Sequence, residues 1–124
     1  MKLVDGIKNM VDRQLKQGQQ EEKTKYEEVL GLFTERARLH AIFHGKVQGV
    51  FFRDFTRKNA EERGLVGYVK NNDNGTVELI AEGDKTKLRD LLALCQYKHP
   101  MAKVDKVEWV WQEYSGKFNA FFVH

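Results

Sequence analysis

Residues 37–53 read Ala37-Arg38-Leu39-His40-Ala41-Ile42-Phe43-His44-Gly45-Lys46-Val47-Gln48-Gly49-Val50-Phe51-Phe52-Arg53. The first eight alternate: Leu39, Ala41 and Phe43 fall on one side, and Arg38, His40 and Ile42 on the other. A period of two is that of a half-buried strand. From Phe52 the spacing changes. Phe52, Phe55, Thr56 and Ala60 share one side of a helix that runs to Arg63, and Gly64 stands where a helix commonly ends. Between strand and helix lies a loop with two glycines, which let the backbone curl and approach a ligand closely. The helix behind it offers unpaired N–H groups and the positive end of its dipole. Arg53, in the first turn, adds a planar and permanently charged fork suited to phosphate oxygens. Together these features describe an anion-binding loop. Taken singly, the glycines read as turn residues and Arg53 as a solvated helix residue.

Downstream, Leu65 to Asn72 reads as a second strand with Leu65, Gly67, Val69 and Asn71 on one face. Asp73-Asn74-Gly75 is a tight-turn sequence, so this strand forms a hairpin with Thr76 to Glu82. Asp84 then suits the N-cap of a helix whose Leu88, Leu91, Leu92 and Cys95 follow helical spacing toward a core. Val104 to Tyr114 forms a fourth strand with Val107, Trp109 and Trp111 on one face. Ser115-Gly116 turns the chain, and Lys117 to Val123 closes as an edge or near-edge strand. The order β-α-β-β-α-β plus a terminal strand is the α+β, split β-α-β (ferredoxin-like) arrangement: an antiparallel sheet with two helices on one face.

Upstream, the chain divides into a helical extension over 1–36 and a domain over 37–124. Leu3, Val4, Ile7, Met10 and Val11 make one apolar stripe, and Tyr26, Val29, Leu30 and Phe33 make another. Isolated helices of ~12–15 residues are marginal in water. Burial against each other, against the domain or against a second chain is therefore expected, and self-association through residues 1–36 is one outcome. The extension holds 7 basic and 7 acidic residues and the domain 14 and 11, so the net charge of +3 lies in the domain. That excess suits a small anionic substrate and falls short of a nucleic-acid footprint. Cys95 is the single cysteine, which excludes an intrachain disulfide, and it sits in an apolar pattern. Charges at Lys2, Asp5, Lys8 and Asp12 interrupt any secretory leader. No segment offers the ~20 apolar residues of a membrane span, so a soluble cytoplasmic protein is expected. His40, His44, His99 and His124 lack metal-ligand spacing and read as surface or strand residues, His44 drawing notice beside Gly45. Trp109 and Trp111 read as sheet packing, since no aromatic RNA-binding motif occurs in the central strands.

The stretch Gly45 to Arg53 resembles the acylphosphatase signature G-[KR]-V-Q-G-V-x-[FY]-R. A second signature of that family, G-[WY]-V-x-N followed by a G-T-V hairpin, is matched by Gly67-Tyr68-Val69-Lys70-Asn71 and Gly75-Thr76-Val77. The resemblance runs from about Ala37 to Val123 and leaves the extension uncovered. It implies the same ferredoxin-like fold and the hydrolysis of small acyl phosphates to carboxylate and phosphate, without metal or cofactor. It also implies catalytic roles for Arg53, as phosphate clamp, and for Asn71, as the residue that places the water. Backbone N–H groups of Lys46, Val47, Gln48, Gly49 and Val50 would cradle the remaining oxygens, and a phosphate oxygen would take the water's proton. Two alternatives stand beside this. One is a non-enzymatic ligand-binding or regulatory module on the same fold, working through the extension. The other is a carbamoyl-phosphate-handling domain like that of hydrogenase maturation proteins, whose zinc-finger and downstream domains are not in this sequence.

Overall fold

The computed structural model describes residues 35–124. The amphipathic stripes at positions 1–34 lie outside the described residues. The elements are β1 (Arg36–Lys46), α1 (Phe52–Glu62), β2 (Val66–Asn71), β3 (Val77–Asp84), α2 (Lys85–Tyr97), β4 (Lys103–Gln112) and β5 (Phe121–Val123). The sheet order is β4-β1-β3-β2-β5. β1 pairs antiparallel with β3 and with β4, and β2 pairs antiparallel with β3. This is the expected split β-α-β arrangement, with one correction: β5 runs parallel to β2, so the five-stranded sheet is mixed. β5 is also shorter than the alternation of Lys117 to Val123 implied. Residues 113–120 instead cross the open face of the sheet, where the Ser115 and Gly116 backbone N–H groups donate to Glu82 at 3.0 and 3.1 Å.

The core lies between the sheet and its two helices. Leu39, Ala41 and Phe43 of β1, Val77, Leu79 and Ala81 of β3 and Val69 of β2 face Phe52 and Ala60 of α1 and Leu88, Leu91 and Cys95 of α2, all of them buried. Phe43 meets Phe52 edge-on at 5.2 Å between centroids. Burying side chains of this size contributes about 1.5–3 kcal/mol each. Cys95 is where the apolar spacing put it; burial pushes its thiol up to about 12, against the opposing hydrogen bond to Thr56. Trp111 packs on the same core with the Lys85 ammonium 4.9 Å above its ring. Trp109 lies on β4, an edge strand, and half of it is exposed.

The helix ends follow the chemistry of their residues. The Asp84 side chain accepts from the Thr86 N–H at 2.9 Å, capping α2 as its position suggested. α1 ends in a Schellman turn: Gly64, at φ +67°, donates to the Glu61 carbonyl, and the Leu65 N–H reaches the Ala60 carbonyl at 2.9 Å. The open face of the sheet carries polar side-chain pairs. His40 meets Glu78 at 2.7 Å and His44 meets Glu108 at 2.6 Å. His44 is therefore a strand residue of that face. His99 departs from the surface reading, because its Nδ1 accepts from the N–H groups of Met101 and Ala102 and its ring packs against Phe55 at 4.9 Å. Among the described residues, no helix is long and apolar enough to cross a membrane.

Candidate active site

The loop between β1 and α1 begins at an irregularity in the sheet. The β1–β4 register shifts between His44 and Gly45, and Gly45 takes φ +118°. A Cβ there would lie 2.2 Å from the Lys103 carbonyl oxygen, so only glycine lets β1 and β4 stay paired through this register shift. Val47 and Val50 turn inward and are buried. Gly49 takes φ +73°, and Phe51 closes the loop at φ 62°, ψ 26°, with 76 % of its surface exposed. A left-handed phenylalanine costs roughly 1–3 kcal/mol, and a side chain so exposed gains little from packing in return. The conformation instead delivers the chain into α1 without a capping side chain. The first-turn N–H groups of α1 therefore remain open toward the loop, with the positive end of the helix dipole behind them.

Beside this turn is a cleft of about 270 Å³ lined by Val47, Gly49, Phe51, Phe52, Arg53, Asp54, Asn71 and Val123. Arg53 and Asn71, expected to work together from separate motifs, thus share one cleft. Asn71 is the last residue of β2 and pairs with Val77 on β3. Alternation from Val69 turns it toward the helix side of the sheet. Among the described residues its Oδ1 is buried and accepts no hydrogen bond. Asp54 brings a carboxylate to an anion-receptive cleft, but Arg57 holds it at 2.7 Å. Of the expected backbone cradle, Val47 and Gly49 line the cleft directly, Gln48 and Val50 belong to the same turn, and Lys46 is the last residue of β1.

One contact escaped the sequence reading. Arg53 Nη1 donates to the main-chain oxygen of His124 at 2.6 Å. The parallel pairing of β5 makes this possible, because the His124 N–H reaches the Val69 carbonyl at 2.9 Å and lays the end of the strand beside α1. The guanidinium is therefore held at the cleft by one fork nitrogen. A short strand with irregular alternation gave no signal of this in the sequence.

The acylphosphatase family model matches residues 39–123, which include both the loop and Asn71. This chain belongs to the acylphosphatase family. An acylphosphatase of Pelotomaculum thermopropionicum is 43% identical over 86 residues, 69% of this chain and 94% of that relative. One from Dehalococcoides mccartyi is 48% identical over 86 residues, 68% of this chain and 94% of its own length. Among solved structures, an acylphosphatase from Bacillus subtilis superposes with a TM-score of 0.68 at 32% identity, covering 71% of this chain and 98% of that one. The acylphosphatase match excludes the first 38 residues, and the described residues that line the cleft lie within it.

Proposed function

We propose that this enzyme hydrolyses the carboxyl–phosphate bond of small acyl phosphates, with residues 37–124 as the catalytic domain and Arg53 and Asn71 as its catalytic residues. The observation that carries the reading is the meeting of the Arg53 fork, an uncapped helix N-terminus and the Asn71 amide in one small cleft. The phosphoryl group sits against the loop, its oxygens shared between Arg53 and the N–H groups of residues 46–50. Asn71 Oδ1 accepts a hydrogen bond from a water and aims its oxygen at phosphorus, opposite the acyl oxygen. As the new P–O bond forms, the bond to the acyl oxygen breaks and the carboxylate leaves with the electron pair. The water's proton passes to a phosphate oxygen. A carboxylate is a good leaving group, so positioning and electrostatic stabilisation carry most of the effect.

The test is hydrolysis of benzoyl phosphate by the unaltered chain and by two Arg53 variants. Arg53→Ala should lower kcat/KM by ~10²-fold or more, the usual effect of removing one strong transition-state contact. Arg53→Lys should be nearly as poor, because an ammonium keeps the charge but cannot both hold the His124 oxygen and fork onto phosphate. An alanine variant that keeps more than ~10% of the activity would remove Arg53 from the mechanism, since such a loss is below that of a single strong contact.

A further inference from the structure

Arg53 and Asn71 lie on different elements, α1 and β2, and the cleft requires them in register. Beside the cleft, one side chain joins the two. Gln48 Nε2 donates to the Asn72 carbonyl at 2.8 Å and to the Thr76 carbonyl at 2.9 Å. These two carbonyls bracket the turn after Asn71. Each already accepts from the hairpin itself: Thr76 from the Asn72 N–H at 2.9 Å, and Asn72 from the Gly75 N–H at 3.2 Å. Gln48 supplies a second donor to each carbonyl, and both hydrogens of its amide are used. The turn is braced from within as well, since the Asn72 amide and Asn74 both bond to the Thr76 hydroxyl. The hairpin mouth is thus a rigid unit, and Gln48 is the side chain that fastens the loop to it.

We propose that Gln48 is a positioning residue that fixes the separation between the Arg53 loop and Asn71. Its side chain touches neither phosphate nor water. Its amide holds the loop against the turn that follows Asn71, so the water and the phosphoryl group meet at attacking geometry. A primary amide has the required chemistry, because both partners are acceptors and its planar NH₂ group offers two donors. The proposal rests on the functional reading above, and its experiment separates the two.

The variants are Gln48→Met, which keeps length without donors, and Gln48→Glu, which keeps shape with the wrong polarity. In Gln48→Met, kcat for benzoyl phosphate should fall ~10- to 100-fold, since a displacement of about 1 Å can cost 10²-fold. The inhibition constant of inorganic phosphate should move by less than about threefold, because Arg53 and the helix N-terminus remain. In Gln48→Glu the ionised carboxylate faces two carbonyls at pH 7.5, and only its protonated form can donate. Activity relative to wild type should therefore climb as pH falls toward 5 in Gln48→Glu and stay level in Gln48→Met. Amide hydrogen exchange at Asn72 and Gly75 should quicken about tenfold or more in both variants at pH 7.5, a readout independent of turnover. Unchanged exchange, or kcat within about twofold of wild type, overturns the proposal, as does a parallel loss of kcat and phosphate affinity with identical pH behaviour in the two variants. An inactive wild type overturns the functional reading instead, and the exchange data then decide on the clamp alone.

Discussion

A buried amide oxygen without a hydrogen bond costs about 1–3 kcal/mol. Asn71 Oδ1 is so placed among the described residues, at the wall of the cleft. Such a cost is tolerated where the group has work to do with a ligand. Asn71→Ala removes it while leaving Arg53, its His124 contact and the helix N-terminus in place. The expected outcome is a fall of ~10²-fold in kcat with inorganic phosphate binding preserved within a few-fold, read by steady-state kinetics and by product inhibition. An equal fall in phosphate affinity would make Asn71 a phosphate ligand. The placement of Arg53 and Asn71 in one cleft was expected, because each falls within one of the two motifs that resemble the acylphosphatase signatures. The His124 oxygen and the Gln48 amide were not. The first acts through the main chain, which has no residue signature. The second acts through two carbonyls brought near by the hairpin, 24 and 28 residues away.

At the scale of elements, periodicity predicted β1, α1 and α2 well because each has one face in a single core. It was weaker where polar contacts replace that burial. β3 continues to Asp84, beyond the expected end at Glu82, because β1 still pairs with it there. Glu82 shows what holds the chain over the open face. It has no exposed side-chain surface, pairs with Arg38 at 2.7 Å and accepts from the Ser115 hydroxyl at 2.8 Å. Burial alone would favour its neutral form, but Arg38, Ser115 and Gly116 outweigh that and hold the carboxyl below its ordinary range. The consequence for stability has a definite sign. Below the ordinary Glu value the unfolded chain takes up a proton that the folded chain still refuses, so the contribution of Glu82 is present near pH 7 and is lost as pH falls through its lowered folded value. Glu82→Gln should cost on the order of 2 kcal/mol at pH 7, as for a buried charged hydrogen-bond partner. Its deficit against wild type should shrink as pH is lowered below about 4.3, the ordinary Glu value. Urea midpoints of the two proteins from pH 7 to 3 give the measurement. A deficit that stays constant over that range would place the stabilisation in shape rather than charge.

For the whole molecule, the question is what residues 1–34 contribute. The family match begins at residue 39, β1 begins at Arg36, and every described residue lining the cleft falls between Val47 and Val123. A relative for which 86 aligned residues make up 94% of its length indicates that a chain of about that size is a sufficient acylphosphatase scaffold. Residues 35–124 expressed alone should therefore fold and keep kcat/KM for benzoyl phosphate within about twofold, the variation expected when no transition-state contact is removed. We propose a separate task for the extension from the stripes Leu3/Ile7/Met10/Val11 and Tyr26/Val29/Leu30/Phe33. Apolar stripes of that size left in water would form a patch that soluble monomers seldom tolerate. We expect them to be covered by a second copy of the chain. Sedimentation of the full chain as a concentration-dependent oligomer, with 35–124 remaining monomeric, is the predicted result. Monomeric sedimentation of both would exclude the second copy and leave the stripes buried within one chain. A loss of activity in 35–124 with unchanged circular dichroism would make the extension part of the active site.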